Sequence, residues 1–122
     1  MTEFEIQKTL VAYFRDCWPH LARSIRLSMN GIPLGGGRHA SRLINAMKSQ
    51  GLVTGESDLF FAIPRGQYHG LFMELKAPGK SATQSQYEYL EYQRGNGYKA
   101  ALCIGLEEAT EVLTKYIEDK GE

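Results

Sequence analysis

Two apolar runs, Leu59 to Ile63 and Leu71 to Leu75, each carry ionisable residues at one end: Asp58 opens the first, and Glu74 and Lys76 close the second. The connection between them, Pro64-Arg65-Gly66-Gln67-Tyr68-His69-Gly70, is punctuated by proline and glycine. Short apolar runs joined by such a segment are expected to form neighbouring antiparallel strands. In an antiparallel pair the start of one strand lies beside the end of the next, so Asp58 is expected next to Glu74 and Lys76. Any fold of this chain must therefore accommodate three charged groups at one margin of a greasy sheet.

Glu74 and Lys76, two residues apart, share a face of their strand, while Met73 and Leu75 point to the other. The surrounding residues are apolar on both faces, so the strand is expected to be covered on both sides. A buried carboxylate pair raises its own pKa or recruits a cation. Two carboxylates with water and substrate oxygens suit a hard ion such as Mg²⁺ or Mn²⁺ better than Zn²⁺, for which no His/Cys cluster exists. The alternative is a salt bridge from Lys76 to Asp58 or Glu74 at the strand end.

The 122 residues are enough for one domain with a real core. No stretch has the length and apolarity of a membrane span or leader, so a cytoplasmic protein is expected. Cys17 and Cys103 lack metal or redox spacing and read as reduced core residues. A formal net charge of zero argues against nucleic acid as a partner, but the distribution argues for it. No acid occurs from Cys17 to Gly55, where Arg23, Arg26, Arg38, Arg42 and Lys48 fall with His20 and His39. Acids crowd the end of the chain instead: Glu107, Glu108, Glu111, Glu118, Asp119 and Glu122 face only Lys115 and Lys120. This gives one basic face able to meet phosphate and one acidic face in solvent; a solvated asymmetry with no partner is the plainer reading.

Thr2 to Trp18 reads as an amphipathic helix with Ile6, Leu10, Phe14, Cys17 and Leu21 on one stripe. Glu3 lies at the N-terminal end of that stripe, where it either answers the helix dipole or aims into the fold; Glu5 points away. After Pro19 and His20, Arg23 to Met29 reads as a strand. Asn30 to Gly37 holds four glycines and a proline and is expected as a mobile loop suited to a phosphate backbone. It is not a P-loop, since no Gly-Lys-Ser/Thr follows and no helix is expected at once. Ser41 to Gln50 is expected as a helix with Leu43, Ile44 and Met47 inward, stopped by Gly51. Thr83 and Gln86 form a capping box for the next helix, whose bulk is Tyr87, Tyr89, Leu90 and Tyr92. Lys99 to Ile104 is a strand, and Glu107 to Ile117 a helix with Ala109, Val112, Leu113 and Tyr116 inward. The order α-β-α-β-β-α-β-α implies an α/β fold: a mixed sheet wrapped by helices.

A helical glutamate, an acid opening one strand, Glu-x-Lys closing the next, and a helix with glutamine in its first turn occur together. This set resembles the PD-(D/E)xK nuclease superfamily, and within it the VRR-NUC family of small phage and repair nucleases. Met47 to Phe60 looks like the family's approach to its Pro-Asp motif, and His69 to Lys76 like its Glu-x-Lys strand. Thr83 and Gln86 resemble its Ser-x-x-Gln, and Tyr98 to Gly105 its closing strand. Ser57 stands where the family has proline, a residue that shapes the strand entry and binds no metal.

The resemblance implies a Mg²⁺- or Mn²⁺-dependent DNA endonuclease with a restriction-endonuclease-like core spanning residues 1–122. Asp58, Glu74 and the Leu75 carbonyl would hold the ion, and Glu3, with Glu5 as the fallback, would assist. Lys76 would orient the attacking water, and Gln86 would hydrogen-bond that water or a phosphate. Arg23, Arg26, Arg38, Arg42 and Lys48 are the expected DNA contacts. Small members of the family look like dimeric junction resolvases, so a homodimer acting on a four-way junction is the leading expectation. The alternatives are a branched-DNA-binding module without chemistry, a nuclease with flap or nicking preference, and a protein-interaction domain with a salt bridge where the site would be.

Overall fold

The computed structural model describes residues 1–28 and 35–119. Its elements run α1 (Glu3–Cys17), a 3₁₀ turn (Pro19–Ser24), β1 (Ile25–Leu27), α2 (Gly37–Ser49), β2 (Leu59–Phe61), β3 (Leu71–Lys76), α3 (Gln84–Gly95), β4 (Lys99–Ile104) and α4 (Leu106–Glu118). The expected order of helices and strands is present. The four strands form one mixed sheet in the order β1-β2-β3-β4. β1/β2 and β2/β3 are antiparallel, while β3/β4 is parallel with α3 as its crossover.

β3 is buried along its whole length, as the near-continuous apolar run requires. On one face Leu71, Met73 and Leu75 pack with Ile6, Leu10 and Phe14 of α1 and Ala109, Leu113 and Tyr116 of α4. On the other, Phe72 packs with Leu90 of α3 and Ala100 of β4, with Phe60, Tyr89, Tyr98 and Leu102 around them. Aromatic rings fill this smaller cluster, Phe60 stacking on Phe72 with centroids 4.3 Å apart. Tyr87 and Tyr92 of α3 are exposed, so only Tyr89 and Leu90 supply the expected bulk.

Four expectations need correction. Pro19 starts a 3₁₀ turn in place of an extended entry, so the strand expected from Arg23 begins at Ile25. Cys17 is exposed: Trp18 and Leu21, from the residues that follow α1, take the space against the core there. Cys103 is buried as expected, and burial pushes its thiol up to about 12. A helix does follow the glycine run at once, because α2 starts at Gly37 with Gly36 as an extended N-cap. Ala40 is the buried residue of α2; Leu43 and Met47 are half-buried, and Ile44 is 38% exposed and lies outside the core. The expected loop residues 30–34, Met29, Lys120 and Glu122 lie outside the described residues.

Gly55 ties the segment before β2 to the start of α3. Its φ is +83°, and a Cβ there would lie 2.4 Å from the Ser85 carbonyl oxygen, so only glycine fits this approach. Among the described residues, no helix is long and apolar enough to cross a membrane.

Candidate active site

The β2/β3 register pairs Leu59 with Met73, which sets Asp58 beside the end of β3. The Leu75 N–H donates to Asp58 Oδ2 at 2.7 Å, and the Ser28 N–H donates to the Asp58 carbonyl at 2.9 Å. Strand-end backbone donors thus fix both the chain and the carboxylate of Asp58. Glu74 and Lys76 lie on the Phe72 face of β3 and are 1% and 9% exposed.

From α1, Glu3 reaches this corner. Its Oε1 lies 3.7 Å from Lys76 Nζ. Glu5 is occupied elsewhere: its Oε2 accepts from the Thr2 N–H, and its own N–H donates to Thr2 Oγ1, a complete capping box. Of the two helical acids, Glu3 is therefore the one brought to Asp58, Glu74 and Lys76. Among the described residues the ion pair of Lys76 is with Glu3, and the expected alternative of a bridge to Asp58 or Glu74 is not formed.

The electrostatics of Glu74 are unfavourable as they stand. Its Oε1 is buried without a hydrogen-bond partner among the described residues. Burial, then the hydrogen bond and charge of Asp58, raise its pKa from 4.5 to about 9; Lys76 opposes this and Glu3 adds to it. A buried carboxyl with an orphaned oxygen, facing a second carboxylate, is a cation-seeking arrangement. Among the described residues no three or more His, Cys, Asp or Glu side chains come together as a metal cluster. The donor set is instead a carboxylate pair, which fits a hard divalent ion whose remaining ligands are backbone, water or phosphate oxygens.

Gln86 sits in the first turn of α3, where its Oε1 accepts from the Thr83 N–H at 2.8 Å and its N–H donates to Thr83 Oγ1 at 3.3 Å. Its side chain is thus spent at least in part on the expected cap. The turn at Gly55 brings the chain leading to Asp58 against this same helix start. Arg23, Arg26, Arg38, Arg42 and Lys48 are all exposed. The Arg26 guanidinium is turned back onto the Arg23 and Ile25 carbonyls at 3.0 Å. None of the five makes an ion pair with the acids of the corner among the described residues.

Sequence reasoning passed over Glu56 and Ser28. Glu56 Oε2 accepts from Ser28 Oγ at 3.4 Å, and burial raises its carboxyl above the usual range, with Ser28 lowering it. Its position two residues before Asp58, on the same side of an extended segment, was the available signal. Ser57, in place of proline, is 2% exposed and its Oγ has no hydrogen-bond partner among the described residues.

No family model matches the sequence, and no curated protein matches it at a significant level. Among solved structures, one described as a "VRR_NUC domain protein" superposes with a TM-score of 0.77 at 27% identity, covering 99% of this chain and 94% of that one.

Proposed function

This chain belongs to the VRR-NUC family of nucleases, and from that premise we propose that it is a divalent-metal-dependent endonuclease acting on branched DNA. The observation that carries the reading is Glu74: a buried carboxyl with an unpartnered oxygen, beside Asp58 and within the field of Lys76 and Glu3. We read residues 1–122 as one nuclease domain. Asp58, Glu74 and the Leu75 carbonyl would hold Mg²⁺ or Mn²⁺, with Glu3 assisting. When bound, the ion supplies an acidified water and neutralises charge building on the phosphate.

The chain's own groups do the rest. Asp58 is held by the Leu75 N–H, which would limit the reorganisation needed to receive a cation. Lys76 presents a compact, strongly hydrated ammonium on a long stem, suited to orienting the attacking water and offsetting charge on the phosphate. Glu3 steadies that ammonium from α1. Gln86, at the start of α3, is placed to hydrogen-bond the water or a phosphate through whatever donor capacity the cap leaves. Water oxygen bonds to phosphorus as the bond to the 3′-oxygen breaks. That oxygen leaves with a proton, giving a 5′-phosphate and a 3′-hydroxyl.

A homodimer cutting paired strands of a four-way junction in the cytoplasm is the leading form of this proposal, since two symmetry-related sites explain paired nicks. Arg23, Arg26, Arg38, Arg42 and Lys48 are its proposed phosphate contacts. The test is cleavage of a four-way junction, a flap, a splayed arm and a linear duplex with Mg²⁺, Mn²⁺ or chelator. Asp58→Ala, Glu74→Ala and Lys76→Ala are each expected to abolish metal-dependent cutting while leaving folding and DNA affinity nearly unchanged. Full activity of Lys76→Ala would overturn the assigned chemistry. The buried Ser57 in place of proline favours a second reading, a branched-DNA-binding module without chemistry. Junction binding with no nick under any metal would establish that reading.

A further inference from the structure

α1 carries a second stripe beside its core-facing one, of which only Val11 also packs against the core. Phe4, Lys8, Val11 and Arg15 recur at i+4, i+7 and i+11 on one face, away from the buried Ile6, Leu10 and Phe14. With Leu27 of β1 they line a cavity of about 580 Å³ whose wall also includes Asp58 and Glu3, so it opens onto the corner described above. Phe4 is 75% exposed and Leu27 58%, an unusual exposure for large apolar side chains that line the same cleft. Lys8 and Arg15 have no acidic partner among the described residues.

Apolar walls flanked by two cations match a ligand that is planar and apolar at one end and anionic at the other. A duplex offers only its phosphates to such a cleft, because its bases are paired and stacked inside. An unpaired strand offers both phosphate and base, and aromatic side chains beside basic ones are how proteins hold it. Continuity with Asp58 means that a strand in the cleft can run on from the reacting phosphate. We propose that a single-stranded arm of the substrate lies in the α1/β1 groove, with Lys8 and Arg15 on its phosphates and an unpaired base against Phe4. The proposal rests on reading the Asp58–Glu74–Lys76 corner as the cutting site, and it adds to that reading a branch point at which one strand is unpaired next to the cut, whether in a flap, in a splayed arm or where a four-way junction opens at its centre.

The test measures binding, not cleavage. The full chain in chelator is titrated with a splayed-arm DNA carrying 2-aminopurine in the unpaired arm beside the junction, and with a blunt duplex of the same sequence. Phe4→Ala is expected to weaken splayed-arm binding roughly 5- to 100-fold and to remove the 2-aminopurine fluorescence change. Lys8→Ala with Arg15→Ala is expected to flatten the salt dependence on the splayed arm by about 1.4 in log–log slope. Blunt-duplex affinity should hardly move in either variant. Equal losses on both DNAs, or none, would overturn the proposal. So would unchanged DNA binding accompanied by loss of a dimer in sedimentation, which would assign the groove to a second copy. Phe4 is on the surface, so a folding defect is not expected, and circular dichroism checks it. A chain that shows this binding pattern but cuts nothing with Mg²⁺ would sink the nuclease reading alone; one that cuts junctions but binds both DNAs alike would sink the groove alone.

Discussion

The two faces of β3 are made by alternate residues of one six-residue strand, yet they are finished to different degrees. Leu71, Met73 and Leu75 meet side chains from α1 and α4 and are fully buried. On the opposite face Phe72 is also buried, but two residues on, Glu74 is buried with an oxygen that has no hydrogen-bond partner among the described residues. The first face is complete within the protein. The second is complete only at one end, and the other end holds a buried carboxyl that is costly to ionise in a position that packing alone would have filled with an aliphatic residue. Such a contrast within one strand is what the proposed metal site would require: stability given up at the end where a cation would bind.

That contrast can be broken by substituting adjacent positions. Met73→Ala removes a fully buried side chain from the closed face and is expected to cost about 2–5 kcal/mol in urea unfolding. Gly55→Ala follows in size. It combines a φ of +83° with a Cβ 2.4 Å from the Ser85 carbonyl oxygen, and about 3 kcal/mol is expected. Because this glycine joins the segment before Asp58 to the start of α3, cutting should fall more than stability accounts for. Equal stability of Gly55→Ala and the parent chain would show that this approach is not needed.

Glu74→Gln should act in the opposite direction from Met73→Ala. Replacing a buried carboxyl by an amide of the same shape removes the cost of ionisation, and a gain of about 1–2 kcal/mol is expected in chelator near pH 8. The pH dependence follows from the same residue. The folded chain holds the Glu74 proton up to about pH 9, whereas the unfolded chain releases it near 4.5. The folded state therefore binds more protons across that window, and its stability falls as pH rises from about 4.5 to about 9. Glu74→Gln should flatten this decline, and Mg²⁺ or Mn²⁺ added to the parent chain at pH 8 should offset it. A decline of the same steepness in Glu74→Gln would place its origin elsewhere.

The sequence made the closed face and the corner legible for the same reason: both depend on period-two alternation and antiparallel register. Asp58, Glu74 and Lys76 could be placed together because a strand pair leaves few alternatives once Leu59 to Ile63 and Leu71 to Leu75 are recognised. Pattern favours Glu3, on the apolar stripe, over Glu5, which points away, but Glu5 stays open as a fallback until the capping box it closes with Thr2 is seen. Glycine-rich and proline-rich stretches were the hard part. Pro19 implies a simple stop but opens a 3₁₀ turn, and the run ending at Gly37 implies a loop although α2 begins there. Breaker residues say where a regular pattern is interrupted, and tertiary contacts such as the burial of Ala40 decide where it resumes. The outer stripe of α1 went unread because its apolar members are few and its meaning depends on β1 standing opposite.

The smallest effect concerns the cations of α2. Arg38 and Arg42 are exposed, four residues apart on one helix, with no acidic partner among the described residues. If the open end of β3 is completed by a phosphodiester, these side chains contribute to affinity only through phosphate, and nothing in folding depends on them. Arg38→Ala with Arg42→Ala should then leave stability within about 0.5 kcal/mol of the parent chain. Affinity for every duplex-bearing DNA should fall by a similar factor, and the log–log salt slope should drop by about 1.8, two duplex phosphate contacts' worth. Weaker binding to one DNA sequence but not another would mean that α2 reads bases. An unchanged slope would mean that the phosphate backbone passes elsewhere, and the basic residues from Arg23 to Lys48 would then be a solvated surface with no part in the site.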